Sequence, residues 1–534
     1  MSFALPPAED VVVRELLISN AQAWPGEVFL TFDDGTEWTR AKALELACRA
    51  AHSLRAAGVE QGDGVAVMLP NGPGFLRAWW GAAMLGATVV PVNTAYRGRF
   101  LEHVLRLGTP KVMVSDGPDL DLLSAAAMAV GSEAVSLEVS QLDSNDPSVP
   151  EIARPILLSD PSAWVMTSGT TGPSKMAVSS YLHIYLGGSW FVTERGRGRE
   201  DTYMIDLPMF HGSGFWYATA CLATGTKIVM RSKPALQSYW EIVRDHGVTM
   251  GLLLSTMVPF LLQQPERKAE REHKMRTMTA TPLPRDLDAF MKRFNLAEVW
   301  GAYGLTEVPT PLVARAGDLI TPTYCGQVRP GFQCRLVDEN DIEVPAGSPG
   351  ELVVRSDQPW MLTTGYANNP EATATSWRNG WFHTGDMMRL EEGGRFHFVD
   401  RAKDAVRRRG ENVSSMEVEA ELRQFPGIAN VACVPHREAD SIEDEVKVWV
   451  LAAEGVAVDF PELLRFAADR LPYFMVPRYF ELADEFPMTH SMRVKKAELR
   501  ALGNSDRTWD REAHGYRVTR NSLETSSARA VADA

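Results

Sequence analysis

Cysteine is scarce in this chain of 534 residues: there are five, Cys48, Cys221, Cys325, Cys334 and Cys433. None forms a Cys-x-x-Cys pair, and the count is odd. That fits a reducing compartment and no structural zinc. No apolar run is long enough to cross a bilayer. The opening residues, Met1-Ser2-Phe3-Ala4-Leu5-Pro6-Pro7, lack the basic flank and apolar core of a secretory signal. Positive charge is also short. A net charge of −14 argues against a nucleic-acid partner. It leaves room for a small polyanionic ligand met by local basic groups. A cytoplasmic protein with no membrane span is expected. What is present is ordinary for a globular chain, with 45% hydrophobic and 23% charged residues. The length suggests more than one domain.

The densest cluster of hydrogen-bond donors is Thr167–Lys175, reading Thr-Ser-Gly-Thr-Thr-Gly-Pro-Ser-Lys. Thr167, Ser168, Thr170 and Thr171 supply hydroxyls, Gly169 and Gly172 let backbone approach a ligand, and Lys175 adds a charge. Ala163-Trp164-Val165-Met166 just before it reads as a short buried strand. A strand running into such a loop ends in exposed N–H groups, which favour phosphate. The same residue types also make polar linkers. It is not a Walker loop, which needs four residues between its glycines and Lys directly after the second.

Elsewhere, apolar spacing predicts helices over 40–58, 75–85, 100–107, 236–246 and 256–263. Strands are expected at 63–69, 88–92, 111–115, 201–207, 226–230, 249–253 and 297–300. Such alternation argues for an α/β fold with doubly wound, mainly parallel sheets. Ligands in these sheets sit beyond the carboxyl ends of strands, so the loop Gly301-Ala302-Tyr303-Gly304 is a site candidate. From about Val328 short strands at 331–337, 350–355 and 395–399 suggest a small β-rich subdomain. A boundary at about residue 400 leads into a small α/β unit, with a helix over 417–425, strands at 428–434 and 446–452, and a helix over 461–471. Residues 505–534 are polar, Ala/Ser-rich at the end, and expected to be a disordered tail.

The Thr167–Lys175 loop and several later motifs, in order, resemble the adenylate-forming superfamily of acyl-CoA ligases, luciferases and peptide-synthetase adenylation domains. The resemblance runs from about Val12 to Arg500 and is strongest to stand-alone bacterial acyl-CoA ligases. A fainter resemblance is to actinobacterial enzymes that activate diterpenoid acids of the platensimycin type. What the family implies is two half-reactions. A carboxylic acid attacks ATP, with Mg²⁺, to give an acyl-adenylate; coenzyme A then displaces AMP. A large N-terminal domain (1–400) and a small mobile C-terminal domain (401–504) rearrange between the steps about a hinge at 401–404.

By resemblance, Thr167–Lys175 would hold the β- and γ-phosphates. Leu207-Pro208-Met209-Phe210-His211-Gly212 is similar to the aromatic-histidine motif, where His211 would line and gate the acyl pocket. Phe210, Gly212, Ser213, Gly214, Trp216, Gly301 and Ala302 would line the rest, the glycines making room. A lone His beside Phe210 is also what a satisfied core histidine looks like. Ala280-Thr281-Pro282 falls where the family contacts adenine, without the usual glycines. In Tyr303-Gly304-Leu305-Thr306-Glu307, Tyr303 would stack on adenine, Thr306 touch the α-phosphate and Glu307 bind Mg²⁺. Asp386, in Gly380–Asp386, would accept the ribose hydroxyls. Arg401 would reach the ribose too, and Lys403 would be the pivot. Gly410 and Glu411 match the loop that meets the phosphopantetheine arm. Arg407, Arg408 and Arg409 would meet CoA phosphates, or form a solvated face.

One departure matters. The family's last motif is Thr-x-x-Gly-Lys-x-x-Lys; this chain reads Thr489-His490-Ser491-Met492-Arg493-Val494-Lys495-Lys496. Arg493 stands where the adenylating lysine is expected. Arginine keeps the charge but is planar and longer, so the exchange is not neutral. Adenylation is therefore expected to be weakened or lost and thioester formation kept, with the acyl-adenylate coming from a separate enzyme. A complete ATP-dependent ligase, a carrier-protein-loading enzyme and a nucleotide-binding pseudoenzyme remain as alternatives.

Overall fold

The computed structural model describes residues 3–167, 174–193, 196, 198–281, 283–284, 286–315, 318, 320–401, 406–408, 411–413, 415–438, 444–471, 473–488, 493–519 and 523–525. The fold is α/β. A six-stranded sheet runs in the order Val135–Glu138, Val112–Ser115, Gly64–Val67, Thr88–Pro91, Pro161–Thr167, Lys175–Ser180. Its strands are parallel apart from the last, which turns back antiparallel on Pro161–Thr167. A seven-stranded sheet runs Glu298–Trp300, Thr277–Thr281, Met250–Leu254, Thr202–Ile205, Lys227–Met230, Val28–Thr31, Glu37–Thr39. It too is parallel except for its final edge strand.

One core joins the two sheets. It holds Val65, Val89 and Val165 from the first, Leu30, Ile205, Ile228 and Met250 from the second, and helices between them. Two of those helices, Tyr181–Thr193 and Gly212–Thr224, have no counterpart in the sequence expectation. Both are apolar nearly all round, because both are covered on all sides, so no amphipathic stripe marks them. They pack closely: a Cβ on Gly187 would lie 2.1 Å from the Trp216 ring, and one on Gly188 2.3 Å from the Trp216 carbonyl oxygen.

A third, antiparallel sheet of eight strands begins at Ala302, earlier than the expected change at Val328, and ends with Arg395–Arg401. From Val406 onward a separate core forms, including Val406, Val431, Val448, Leu463 and Phe480.

The expectation of a disordered tail from 505 is corrected for its described part. Trp509–Asp510 adds a strand beside Tyr479–Leu482, with Phe480 opposite Trp509. Trp509 packs on Phe460 and Phe480, and Arg478 grips the Asp510 carboxylate from 3.1 and 3.2 Å. The stretch is polar in composition because its contacts are ion pairs and single aromatics rather than an apolar run.

Candidate active site

The hairpin of Ala302–Leu305 and Val308–Val313 pairs Leu305 with Val308, so Thr306 and Glu307 form its tip. Gly304 is required there: a Cβ would sit 2.8 Å from the Thr310 nitrogen. Thr310 itself has φ 52°, and its hydroxyl donates to the Gly187 carbonyl at 3.0 Å, tying the hairpin to the buried helix. His183 on that helix bonds the Thr306 carbonyl through Nε2 at 2.9 Å. Burial pushes the imidazole down to about 4, although the bond to Thr306 works the other way. His183 is thus a neutral donor at working pH.

Residues of several motifs meet around this hairpin. The Tyr303 hydroxyl donates to Asp386 Oδ2 at 2.6 Å, and Asp386 is buried on the strand Trp381–Glu391. Across the ladder, Asp386 is paired with Arg401, whose backbone closes the last strand of the sheet. Glu307 accepts at Oε1 from the Tyr366 hydroxyl at 2.8 Å, and the Lys175 ammonium lies 4.5 Å from the centre of the same Tyr366 ring. Tyr366 and His183 were not singled out from sequence. The signal for His183 was a lone histidine in an apolar stretch, which is uninformative by itself.

Thr167 and Lys175 pair as the last and first residues of two antiparallel strands. The donor-rich loop therefore closes a β-hairpin rather than opening a helix. Ser168, Gly169, Thr170, Thr171 and Gly172 lie outside the described residues. At its far foot, His103 Nε2 bonds the Ser174 carbonyl at 2.6 Å.

The remaining N-terminal residues gather at the carboxyl end of the seven-stranded sheet, as expected for a ligand crevice. Thr202–Ile205 leads into Leu207–His211, and Asn71 braces that loop, donating to the Leu207 carbonyl at 2.9 Å and accepting from Met209 N–H at 2.7 Å. His211 is half-buried at the start of Gly212–Thr224, its ring 4.7 Å from that of Phe210. Gly212 faces both Trp216 and Thr306: a Cβ there would lie 3.5 and 3.8 Å from them. Gly214, expected to make room, is instead used for packing, since its Cβ would come within 2.8 Å of Met209 Cα. Trp216 is half-buried over the Gly187–Gly188 notch, and Ser213 is half-buried one turn before it. Gly301 lies against Leu283, and Ala302 packs on the central core. Thr281 ends its strand at the crevice, whereas the Ala280 side chain is fully buried and offers a nucleotide only backbone. Pro282 is outside the described residues.

In the C-terminal unit, Lys403, Arg409 and Gly410 lie outside the described residues; for Arg401, Arg407 and Glu411 only the backbone is described. Arg408 is corrected. It is 1% exposed, donates to the Val476 carbonyl at 3.0 Å and pairs with Glu445 at 2.8 Å. Alternation explains it: Val406 and Arg408 share the inward face of Val406–Arg408. Arg493 is exposed, just before Val494, which bridges to Met488. Lys495 is exposed and paired with Glu498 at 2.8 Å. Lys496 is committed inward, 2.7 Å from Glu419 and bonded to Ser415, which in turn donates to Asp400. Burial opposes its charge, but Glu419 and Asp400 outweigh it and hold the ammonium above its ordinary value.

Asp206, at the foot of the His211 loop, is 3% exposed, and its Oδ2 has no hydrogen-bond partner among the described residues. Burial pushes the carboxyl up to about 7. The folded state therefore holds its proton more tightly than the unfolded chain, so stability falls as pH rises from about 4 to about 7 and is level above. Asp206→Asn removes that fall. We expect the variant to match the parent at pH 4 and to exceed it at pH 8 by on the order of 3 kcal/mol. Thermal unfolding followed at both pH values measures the difference.

Comparison with known proteins gives a family model described as AMP-binding enzyme, which matches residues 17–367. The chain is 31% identical over 480 residues to a feruloyl-CoA synthase from Amycolatopsis sp., covering 87% of this chain and 94% of the relative. It is 28% identical over 514 residues to a crotonobetaine/carnitine–CoA ligase from Citrobacter koseri, covering 91% and 98%. Among solved structures, ATP-bound MatB from Rhodopseudomonas palustris superposes with a TM-score of 0.81 at 25% identity over 92% of this chain and 98% of that one. The o-succinylbenzoate CoA synthetase MenE from Bacillus subtilis with ATP and magnesium shares the fold, with a TM-score of 0.79 at 22% identity over 91% and 98%. The matched span takes in the Thr167/Lys175 hairpin, the His211 loop, the Thr306–Glu307 hairpin and Tyr366, and the chain belongs to the AMP-binding enzyme family.

Proposed function

We propose that this chain forms acyl-CoA thioesters from acyl-adenylates, and that its weak step is making the adenylate from free acid and ATP. The observation that carries the first half is the convergence at one hairpin: Tyr303 bonds Asp386, while Glu307, four residues later at the hairpin tip, bonds Tyr366 beside Lys175. In this reading Asp386 receives the ribose, with its carboxylate oriented by the Tyr303 hydroxyl. Thr306 meets the α-phosphate and Thr281 borders the adenine. The Thr167/Lys175 loop takes the β- and γ-phosphates. His211, Phe210, Gly212, Ser213, Trp216 and Ala302 border the acyl group. Arg401 and Lys403 belong to the pivot, and Gly410, flanked by Arg407, Arg409 and Glu411, to the CoA path.

Glu307 suits Mg²⁺, an oxygen-seeking ion that usually takes one or two carboxylates and completes its shell with phosphate oxygens and water. The described residues fit that pattern with one carboxylate, Glu307, whose Oε1 accepts from the Tyr366 hydroxyl at 2.8 Å and whose oxygens keep lone pairs for a cation. When bound, the ion neutralises charge on the phosphates.

Support for the second half comes from the basic residues of the last motif. Arg493 occupies the lysine position and is exposed. Lys496 is held inside the C-terminal unit by Glu419 and Ser415. Lys495 is exposed but starts about 6.7 Å further along an extended chain. Its ion pair with Glu498 is a surface pair of small worth, and this keeps the complete ATP-dependent ligase as the second reading.

The test supplies the enzyme with free acid, ATP, Mg²⁺ and CoA in one mixture, and with the matching acyl-AMP and CoA in another. A panel of acids should include ferulate and crotonobetaine. Acyl-CoA is expected to form about 100-fold faster from acyl-AMP. Equal rates would overturn the specialised reading in favour of the complete ligase, and inactivity in both mixtures would favour a pseudoenzyme.

A further inference from the structure

We propose that Tyr366 is a positioning residue that holds Glu307 and Lys175 in place for a metal-bound triphosphate. The proposal rests on the reading of Glu307 and the Thr167/Lys175 hairpin given above.

Tyr366 touches both groups at once, through different parts of its side chain. Its hydroxyl donates to Glu307 Oε1 at 2.8 Å, and its ring face lies 4.5 Å from the Lys175 ammonium. A hydroxyl on a carboxylate fixes its rotamer while the oxygens keep lone pairs for a cation. A ring under an ammonium restrains a side chain that is otherwise free to sweep. Burial, and then the Glu307 carboxylate, push the phenol above its ordinary range, so the hydroxyl remains a donor at any working pH.

The tyrosine is itself held firmly. It is 7% exposed and bridges antiparallel to Ala177 on the strand that Lys175 begins. On either side, Val178 N–H donates to the Gly365 carbonyl at 3.0 Å and Ala367 N–H to the Met176 carbonyl at 2.8 Å. Tyr366 N–H donates to Thr373 Oγ1 at 2.9 Å. Gly365 has φ 139°, and a Cβ there would come within 2.6 Å of Thr373, so the approach needs glycine. The segment 365–367 thus extends the edge of the six-stranded sheet and carries one ring to the meeting point of two sheets. The ladder hydrogen bonds use backbone alone, so they account for the segment's position but not for the identity of its side chain.

The test measures binding of ATP to the full chain by calorimetry, with Mn²⁺ and without metal, and the Mn²⁺ environment by electron paramagnetic resonance. Tyr366→Phe keeps the ring and removes the hydroxyl. It is expected to weaken Mn²⁺–ATP binding about tenfold, the worth of one charge-assisted hydrogen bond, while metal-free ATP binding stays within about twofold. Tyr366→Leu, which also loses the ring under Lys175, should weaken metal-free binding as well. Unchanged Mn²⁺–ATP binding by Tyr366→Phe would overturn the proposal. Equal weakening with and without metal would also overturn it, because it would mark a merely structural role. A parent enzyme that turns over acyl-AMP yet binds no Mn²⁺–ATP would overturn the reading of Glu307 and, with it, this assignment.

Discussion

Arg493→Lys is expected to raise ATP–pyrophosphate exchange by about 10²–10³-fold and to leave the acyl-AMP to acyl-CoA rate within about twofold. The magnitude follows from geometry rather than charge. Both side chains are cationic, but the attacking carboxylate and the α-phosphate converge on one point, where a compact ammonium can meet both. A guanidinium spreads its charge over a plane and carries it further from the backbone. One mispositioned electrostatic contact at a developing charge costs about 3–4 kcal/mol. Arg493 is exposed and lies ahead of the Val494–Met488 bridge, and thermal unfolding of parent and variant separates a change in folding from a change in chemistry. Equal exchange by parent and variant would show that Arg493 already serves adenylation, and the complete ligase would be the better reading.

Truncation after Gly503 is expected to unfold the C-terminal unit while the N-terminal unit stays folded. Lys447 and Glu481 form a buried pair at 2.7 Å, and the Ser505 and Thr508 hydroxyls both donate to Glu481. Removing partners from a buried ion pair costs about 1–3 kcal/mol for each unmet bond. Losing the Trp509 contacts with Phe460 and Phe480 costs roughly another 2–3 kcal/mol. The Arg478–Asp510 bonds and the buried Val518 go as well. The total is comparable with the whole stability of a small domain, about 5–15 kcal/mol. Limited proteolysis should then leave a resistant N-terminal fragment, with thioester formation abolished. A truncated protein as resistant as the parent would contradict this.

Much of the architecture is legible in the chain because the parallel strands are short, apolar and punctuated. Residues 88–92 and 249–253 were expected as strands and are found as Thr88–Pro91 and Met250–Leu254. Helix 40–58 is found as Arg40–Ala56, capped by Thr39, which accepts from Lys42 N–H. The buried helices Tyr181–Thr193 and Gly212–Thr224 escaped the same logic, since a helix covered on every side has no polar face to reveal its period. Arg408 misled because a charge run says nothing about alternation until the strand is known.

Local sequence by itself determined the motifs: the donor-rich loop before Lys175, the Tyr303–Glu307 run, Asp386, and the arginine at 493. These depend on residue type and spacing along a few consecutive positions. Only the tertiary structure decided who touches whom. It brought Tyr366 from 59 residues downstream onto Glu307 and beneath Lys175. It set Tyr303 on Asp386 across 83 residues of chain, turned Arg408 and Lys496 inward, and built residues 509–518 into the last domain. The physical reason is the same in each case. A side chain's partner is fixed by which strands lie side by side and which face is buried, and that depends on pairings distant in sequence.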